Sequence, residues 1–162
     1  MLAIVKSGAI ESTGTLGQLF PNTSFPGGVA PNNFKTAEGI EEVVEGEQKD
    51  TTYYEVSTGS IALVDGKPTQ QYTNTARNLV TLKAERTAHV KTQANNALAG
   101  TDWMVIRKAE RDVAIPDATA TYRAAVVTEC ARLETAIDGA ADVEALITVM
   151  NAQNWPDTGI GR

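Results

Sequence analysis

Two pairs of carboxylates lie close enough in sequence to suggest general acid–base work: Glu110 with Asp112, and Glu129 with Glu134. That chemistry needs two carboxyls converging on one substrate in environments that drive their protonation apart. Both pairs fall in amphipathic helical pattern, where they read better as a solvated face. Cys130 is the only cysteine and His89 the only histidine. A catalytic thiolate needs a base and electropositive surroundings, and Cys130 instead sits in an apolar stripe, as a small buried hydrophobe does. A zinc site on one Cys and one His would need several carboxylates besides. The acids Glu38, Glu41, Glu42, Glu45 and Glu47 raise the question of calcium, but they lack the Asp-x-Asp-x-Asp-Gly spacing of a binding loop. The sequence is read as carrying no catalytic residue, no cofactor-binding residue and no metal site, and the protein as no enzyme.

Composition narrows the remaining classes. The net charge is −6, and basic residues such as Arg107, Lys108 and Arg111 are interspersed with acids, which argues against nucleic acid as a partner. No apolar run approaches the ~20 residues that span a bilayer, and the opening MLAIVKSGAIE is too short an apolar run for a signal peptide. No membrane role is expected, and the chain is read as made in a cytosol. Only 6% of the residues are aromatic, so the core must be built from Ala, Val, Ile and Leu. A core that thin completes its burial against other subunits, which points to a homo-oligomer, with a trimer favoured.

The elements that position these residues divide into an α+β chain: a small β-rich unit at 1–74, a helical module at 75–156, and an extended tail at 157–162. Residues 2–5 read as a strand ending in the turn Lys6-Ser7-Gly8. In 15–34, Pro21, Pro26, Pro31 and Gly27-Gly28 forbid a long regular element. Yet this loop carries Phe20, Phe25 and Phe34, which must pack somewhere: over the small sheet, or on another subunit. Residues 40–44 suit a strand. Strands are also read at 52–58, 61–64 and 68–73, with a tight turn at Asp65-Gly66.

From 75 the period becomes helical. The first helix, at 75–99, has a weak stripe through Ala76, Leu79, Lys83, Thr87, Val90, Ala94 and Ala97; so narrow a seam suggests contact with another helix or subunit, with Leu79 and Val90 as candidates. Gly100 ends it. Thr101 offers an N-cap hydroxyl and Asp102 a favourable charge for a second helix at 102–112, with Trp103, Ile106, Glu110 and Val113 on one side and Ile115-Pro116 as its stop. Trp103 is large enough to bolt the helix before it to the helix after it. A third helix at 117–137 carries the stripe Tyr122, Val126, Cys130, Leu133, Ile137 and breaks at Asp138-Gly139. Asp142 can cap a fourth, at 142–151.

Three short motifs, in order, carry a resemblance: TDW at 101–103, YR at 122–123 and WP at 155–156. With the preceding VDGKPTQQYT at 64–73 and LKAER at 82–86, they look like the C-terminal region of tail proteins of tailed bacteriophages, in the tail-fibre-associated and tail-assembly-chaperone families. The region up to about residue 50 resembles proteins of marine or cyanobacterial phages. The family pattern commonly has a second arginine four residues beyond Arg123, where this chain has Val127, so an interaction resting on an arginine pair does not carry over.

The resemblance implies a structural component of the virion tail, in the fibre or baseplate region, contacting other tail proteins without catalysis. The alternative is an assembly chaperone that leaves before the particle is complete. Trp103, Tyr122, Arg123 and Trp155 are then either core or the anchors of a partner.

Overall fold

Strands come first and long helices last, making this an α+β chain. The computed structural model describes residues 1–157; it divides into two units, Met1–Thr75 and a second that begins at Ala76. Beyond Asp157, the tail expected at 157–162 lies outside the described residues.

In the first unit, β1 (Leu2–Lys6) and β2 (Ala9–Gly14) form a hairpin whose turn residues, Ser7 and Gly8, both have positive φ, 51° and 74°. That is the turn geometry whose twist matches paired strands. A short helical turn, α1 (Leu16–Leu19), follows, with a capping box between Thr15 and Gln18. Strand β3 (Ile40–Glu42) pairs on the other side of β1, giving the order β2-β1-β3. Helix α2 (Asn32–Glu38) leads into β3, in a stretch whose latter part was read without a helix. It starts directly after Pro31 and ends at Gly39, whose φ of 67° suits glycine; a Cβ at Gly39 would also lie 2.3 Å from the Val5 carbonyl oxygen.

The second sheet has the order β4-β6-β5. Strands β5 (Tyr54–Val64) and β6 (Lys67–Ala76) are joined at Asp65-Gly66, the turn expected there, with φ of 50° and 78°. The two strands read at 52–58 and 61–64 are one, because Gly59 stays extended and its carbonyl accepts from the Gln70 side-chain amide at 2.7 Å. Strand β4 (Val44–Glu45) runs parallel to β6, with Val44 opposite Thr69.

Because β6 continues to Ala76, the long helix α3 (Leu79–Ala99) begins later than position 75; Asn78 caps it by accepting from the Thr81 N–H at 3.1 Å. After it come α4 (Asp102–Arg111), α5 (Asp117–Gly139) and α6 (Val143–Asn151). Helix α5 ends at Gly139, within the Asp138-Gly139 pair expected to break it. Asp142 does cap α6, accepting from Ala145 N–H at 2.8 Å.

Helices α3 and α5 are antiparallel. Lys83 Nζ donates to the Asp138 carbonyl at 2.6 Å at one end, and Tyr122 OH to the Ala97 carbonyl at 3.2 Å at the other. Between them lie Leu82, Val90 and Ala94 of α3 with Val126, Leu133 and Ile137 of α5, joined by Leu146 and Met150 of α6. Burying a large aliphatic side chain contributes about 1.5–3 kcal/mol. Val90, at 0% exposure, is therefore committed to its own chain and is not a subunit seam, and the buried stripe of α3 runs through Leu82 rather than Lys83. Leu79 is half-buried.

Candidate functional site

The last turn of any helix leaves carbonyls without partners. At the end of α3, Arg123 and Tyr122 of α5 fill that need. Arg123 donates through Nη1 to the Leu98 carbonyl at 3.0 Å and to the Thr101 hydroxyl at 2.6 Å, and through Nη2 it meets the Asp102 carboxylate at 2.9 Å. Tyr122 takes the Ala97 carbonyl. A guanidinium at a helix C-terminus is also favoured by the helix dipole. The Thr101 hydroxyl does not cap α4 as expected; it is turned back, donating to the Leu98 carbonyl at 2.9 Å. Thr101-Asp102 and Tyr122-Arg123 are thus parts of one junction.

The third motif reaches the same place through a buried acid. Glu129, 8% exposed, accepts from Arg132 Nε and Nη2 at 2.7 Å each and from the Asn154 backbone N–H at 2.7 Å. Arg132 also donates to the Ala152 carbonyl at 2.9 Å. These bonds fold the chain back after α6 and lay Trp155, half-buried, against the cluster of Ala94, Tyr122 and Val126. The Trp155 indole N–H donates to Gln153 at 2.8 Å. The hydrogen bonds from Arg132, with help from Asn154, hold the Glu129 carboxyl below the usual carboxylate range, although its burial opposes this. The sequence alone presents Glu129 only as half of a solvated carboxylate pair. Its spacing to Tyr122, Val126 and Leu133, with an arginine three residues on, is the signal that would have found it.

Trp103 is not the bolt. It is 51% exposed, beside Ile106 at 56% and Val113 at 41%, and none of the residues of α4 is buried. The bolting is done by Arg123, Tyr122 and Thr101, while the Trp103 ring carries the Arg107 guanidinium 4.8 Å from its centroid. Arg107 Nε has no hydrogen-bond partner, and Lys108 pairs with Asp112. Asp112 ends α4 in the left-handed conformation, φ 52°, ahead of Ile115-Pro116.

The other candidate residues face their own chain. Phe20, Phe25 and Phe34 form an edge-to-face trio with centroids 5.1–6.2 Å apart. Val90 and Tyr122 are buried, and the Arg123 guanidinium is spent at the junction. Val127 is exposed.

The groups first considered for chemistry are dispersed. Cys130 donates its thiol to Glu134 at 3.3 Å, and burial followed by that carboxylate pushes the thiol pKa up, away from a nucleophile. Glu134 is held by Lys91, whose ammonium lies 3.1 Å away and lowers its pKa. Glu110 and Asp112 are both exposed, as is His89. Among the described residues, no three His, Cys, Asp or Glu side chains are grouped to hold a metal ion, and no helix is long and apolar enough to cross a membrane.

No protein-family model, curated protein or solved structure matches this chain. The arrangement at the junction therefore carries the functional argument: a hydrogen-bonded platform that displays a short helix with its apolar side outward. Such a surface can bind.

Proposed function

We propose that this chain is a structural component of a bacteriophage tail, in the fibre or baseplate region, acting through contacts with copies of itself and with other tail proteins and performing no catalysis. The observation that carries the reading is the meeting of the three motifs: Thr101-Asp102, Tyr122-Arg123 and Trp155 belong to one packed junction. That segments which resemble a tail-protein module in order also meet in space supports reading them as one unit. The junction has no catalytic constellation; its outward feature is the Trp103 and Ile106 face of α4. In this reading the homo-oligomer does not use the buried face of α3 as its seam.

Mass spectrometry of purified particles tests the proposal. Peptides of this chain at a stoichiometry comparable to known tail proteins are expected. Their absence from particles, with the protein present in infected cells, would move the assignment to an assembly chaperone. The exposed face of α4 suits that reading as well, since a chaperone must keep a client-binding surface open.

A further inference from the structure

We infer that the exposed face of α4 is a self-complementary contact, on which a second copy of this chain docks its own α4 antiparallel across a two-fold axis. This deepens the proposed function by naming the surface of one of its subunit contacts, and it rests on that reading only in taking such contacts to be what the chain is for.

The argument for a second copy begins with charge. Along α4 and the residue after it, Asp102, Glu110 and Asp112 balance Arg107, Lys108 and Arg111, in a chain whose net charge is −6. Two copies meeting here bring neutral segments together, whereas contact at the acidic run from Glu38 to Glu47 would set like charges against each other. Within the chain, Asp102 is taken by Arg123 and Lys108 by Asp112. Arg107 and Glu110 make no ion pair with each other: Arg107 is half-buried, its Nε covered and its guanidinium stacked on Trp103, and Glu110 is exposed. These two groups of opposite sign bracket the centre of the exposed face.

Their spacing suits an antiparallel copy of the same helix. Within α4, Trp103, Ile106 and Glu110 recur at intervals of three and four, the seam of a helix pair. Run antiparallel about position 108, the seam sets Ile106 of one copy on the aliphatic stem of Glu110 of the other, with each Trp103 over the segment that follows the other copy's Arg111. The Glu110 carboxylate then falls beside Arg107 of the second copy. A parallel pair would stack Glu110 on Glu110 instead.

The face is also held ready. Arg123 fixes its start through Thr101 and Asp102, and the left-handed Asp112 followed by Ile115-Pro116 fixes its end, so little ordering entropy remains to be lost on docking. One short helix offers less than the ~800 Å² per partner of a standard interface. The dimer is accordingly concentration-dependent in dilute solution and gains strength where other contacts hold copies together.

Sedimentation equilibrium of the full chain over a concentration series reads this out. A monomer–dimer equilibrium is expected. Trp103→Ser with Ile106→Ser, both at exposed positions, should weaken it by about 30-fold or more, as loss of a central aromatic anchor does, with the helical circular dichroism unchanged. Arg107→Glu alone and Glu110→Arg alone should each weaken it, and the two together in one chain should restore it, because each symmetric contact regains opposite charges. A monomer at every concentration, a trimer, or a dimer indifferent to Trp103 and Ile106 would each overturn the inference. So would a double charge variant no better than its singles. None of these outcomes touches membership in the tail, which the particle composition decides separately.

Discussion

Helix α4 separates apolar from polar side chains more sharply than any other helix of the second unit and buries none of them; α5, with its apolar residues spread around it, buries six residues. The difference lies in the neighbours. Helix α5 packs against α3 and α6 along one stripe, Thr119, Tyr122, Val126, Glu129, Leu133 and Ile137, and its contrast in sequence is blunted because that stripe holds Thr119 and Glu129 while Val127 stays exposed. Helix α4 keeps one stripe, and nothing within its unit buries it. Contrast in sequence and burial within the unit are thus separate properties: α4 has the first without the second, and α5 the second without the first.

Substitutions at matched residues should break this comparison most strongly. Leu133→Ala, at a position with 0% exposure, is expected to cost about 2–5 kcal/mol through lost burial and the cavity left behind. Ile106→Ala, at 56% exposure, should stay within about 0.5 kcal/mol at concentrations where the chain is monomeric. Urea unfolding followed by helical circular dichroism reads both. Equal costs would mean that α4 is buried in solution after all.

Next in size is the junction. Arg123→Met keeps the aliphatic stem and removes the bonds to Leu98, Thr101 and Asp102, at a cost of about 1–3 kcal/mol. Hydrogen exchange in α4 should rise more than in α6. Uniform acceleration across both helices would show instead that the junction stabilises the unit as a whole.

A pH series sharpens the α5 side. The folded pKa of Glu129 is depressed, so the stability it contributes is fully present above the unfolded carboxylate value of ~4.3 and is lost as pH falls through the lower folded value. Glu129→Gln should cost about 1–2 kcal/mol at neutral pH and flatten the acid limb of the stability curve. An unchanged acid limb would mean that other carboxylates govern it.

The smallest effect belongs to the surface pair on α4. Lys108→Ala removes an exposed i,i+4 bridge to Asp112 and should change unfolding by no more than about 0.5 kcal/mol, less at high salt. A larger loss would show that the end of α4 depends on this pair.

The same contrast marks what the sequence reveals. The Asp65-Gly66 hairpin and the stripe Tyr122, Val126, Leu133 and Ile137 are legible because turn chemistry and helical period are local. Helix α2 was legible too, from Pro31 in front and Gly39 behind, but three prolines and a glycine pair made the whole loop read as irregular. The size of Trp103 suggests a bolt between helices, with a partner anchor as the alternative, whereas its outward direction is set by which side of α4 faces the junction. Glu129 was read as solvated because nothing adjacent announces the returning backbone of Asn154 that it receives. The junction itself was visible as three motifs; that Arg123 rather than a tryptophan joins them depends on packing across 22 residues of chain.

The antiparallel pairing of α3 and α5 has a kinetic consequence. Contacts at the Tyr122 end close a loop of 25 residues, whereas the contact of Lys83 with Asp138 spans 55. Closing the shorter loop first loses less chain entropy, and each later contact then extends an existing pair. The unit should therefore zip from the α4 end outward, with Val126→Ala slowing folding and Ile137→Val mainly speeding unfolding. Helix α4 would ride inside that first loop, its apolar face still open to a neighbour while the rest of the unit closes.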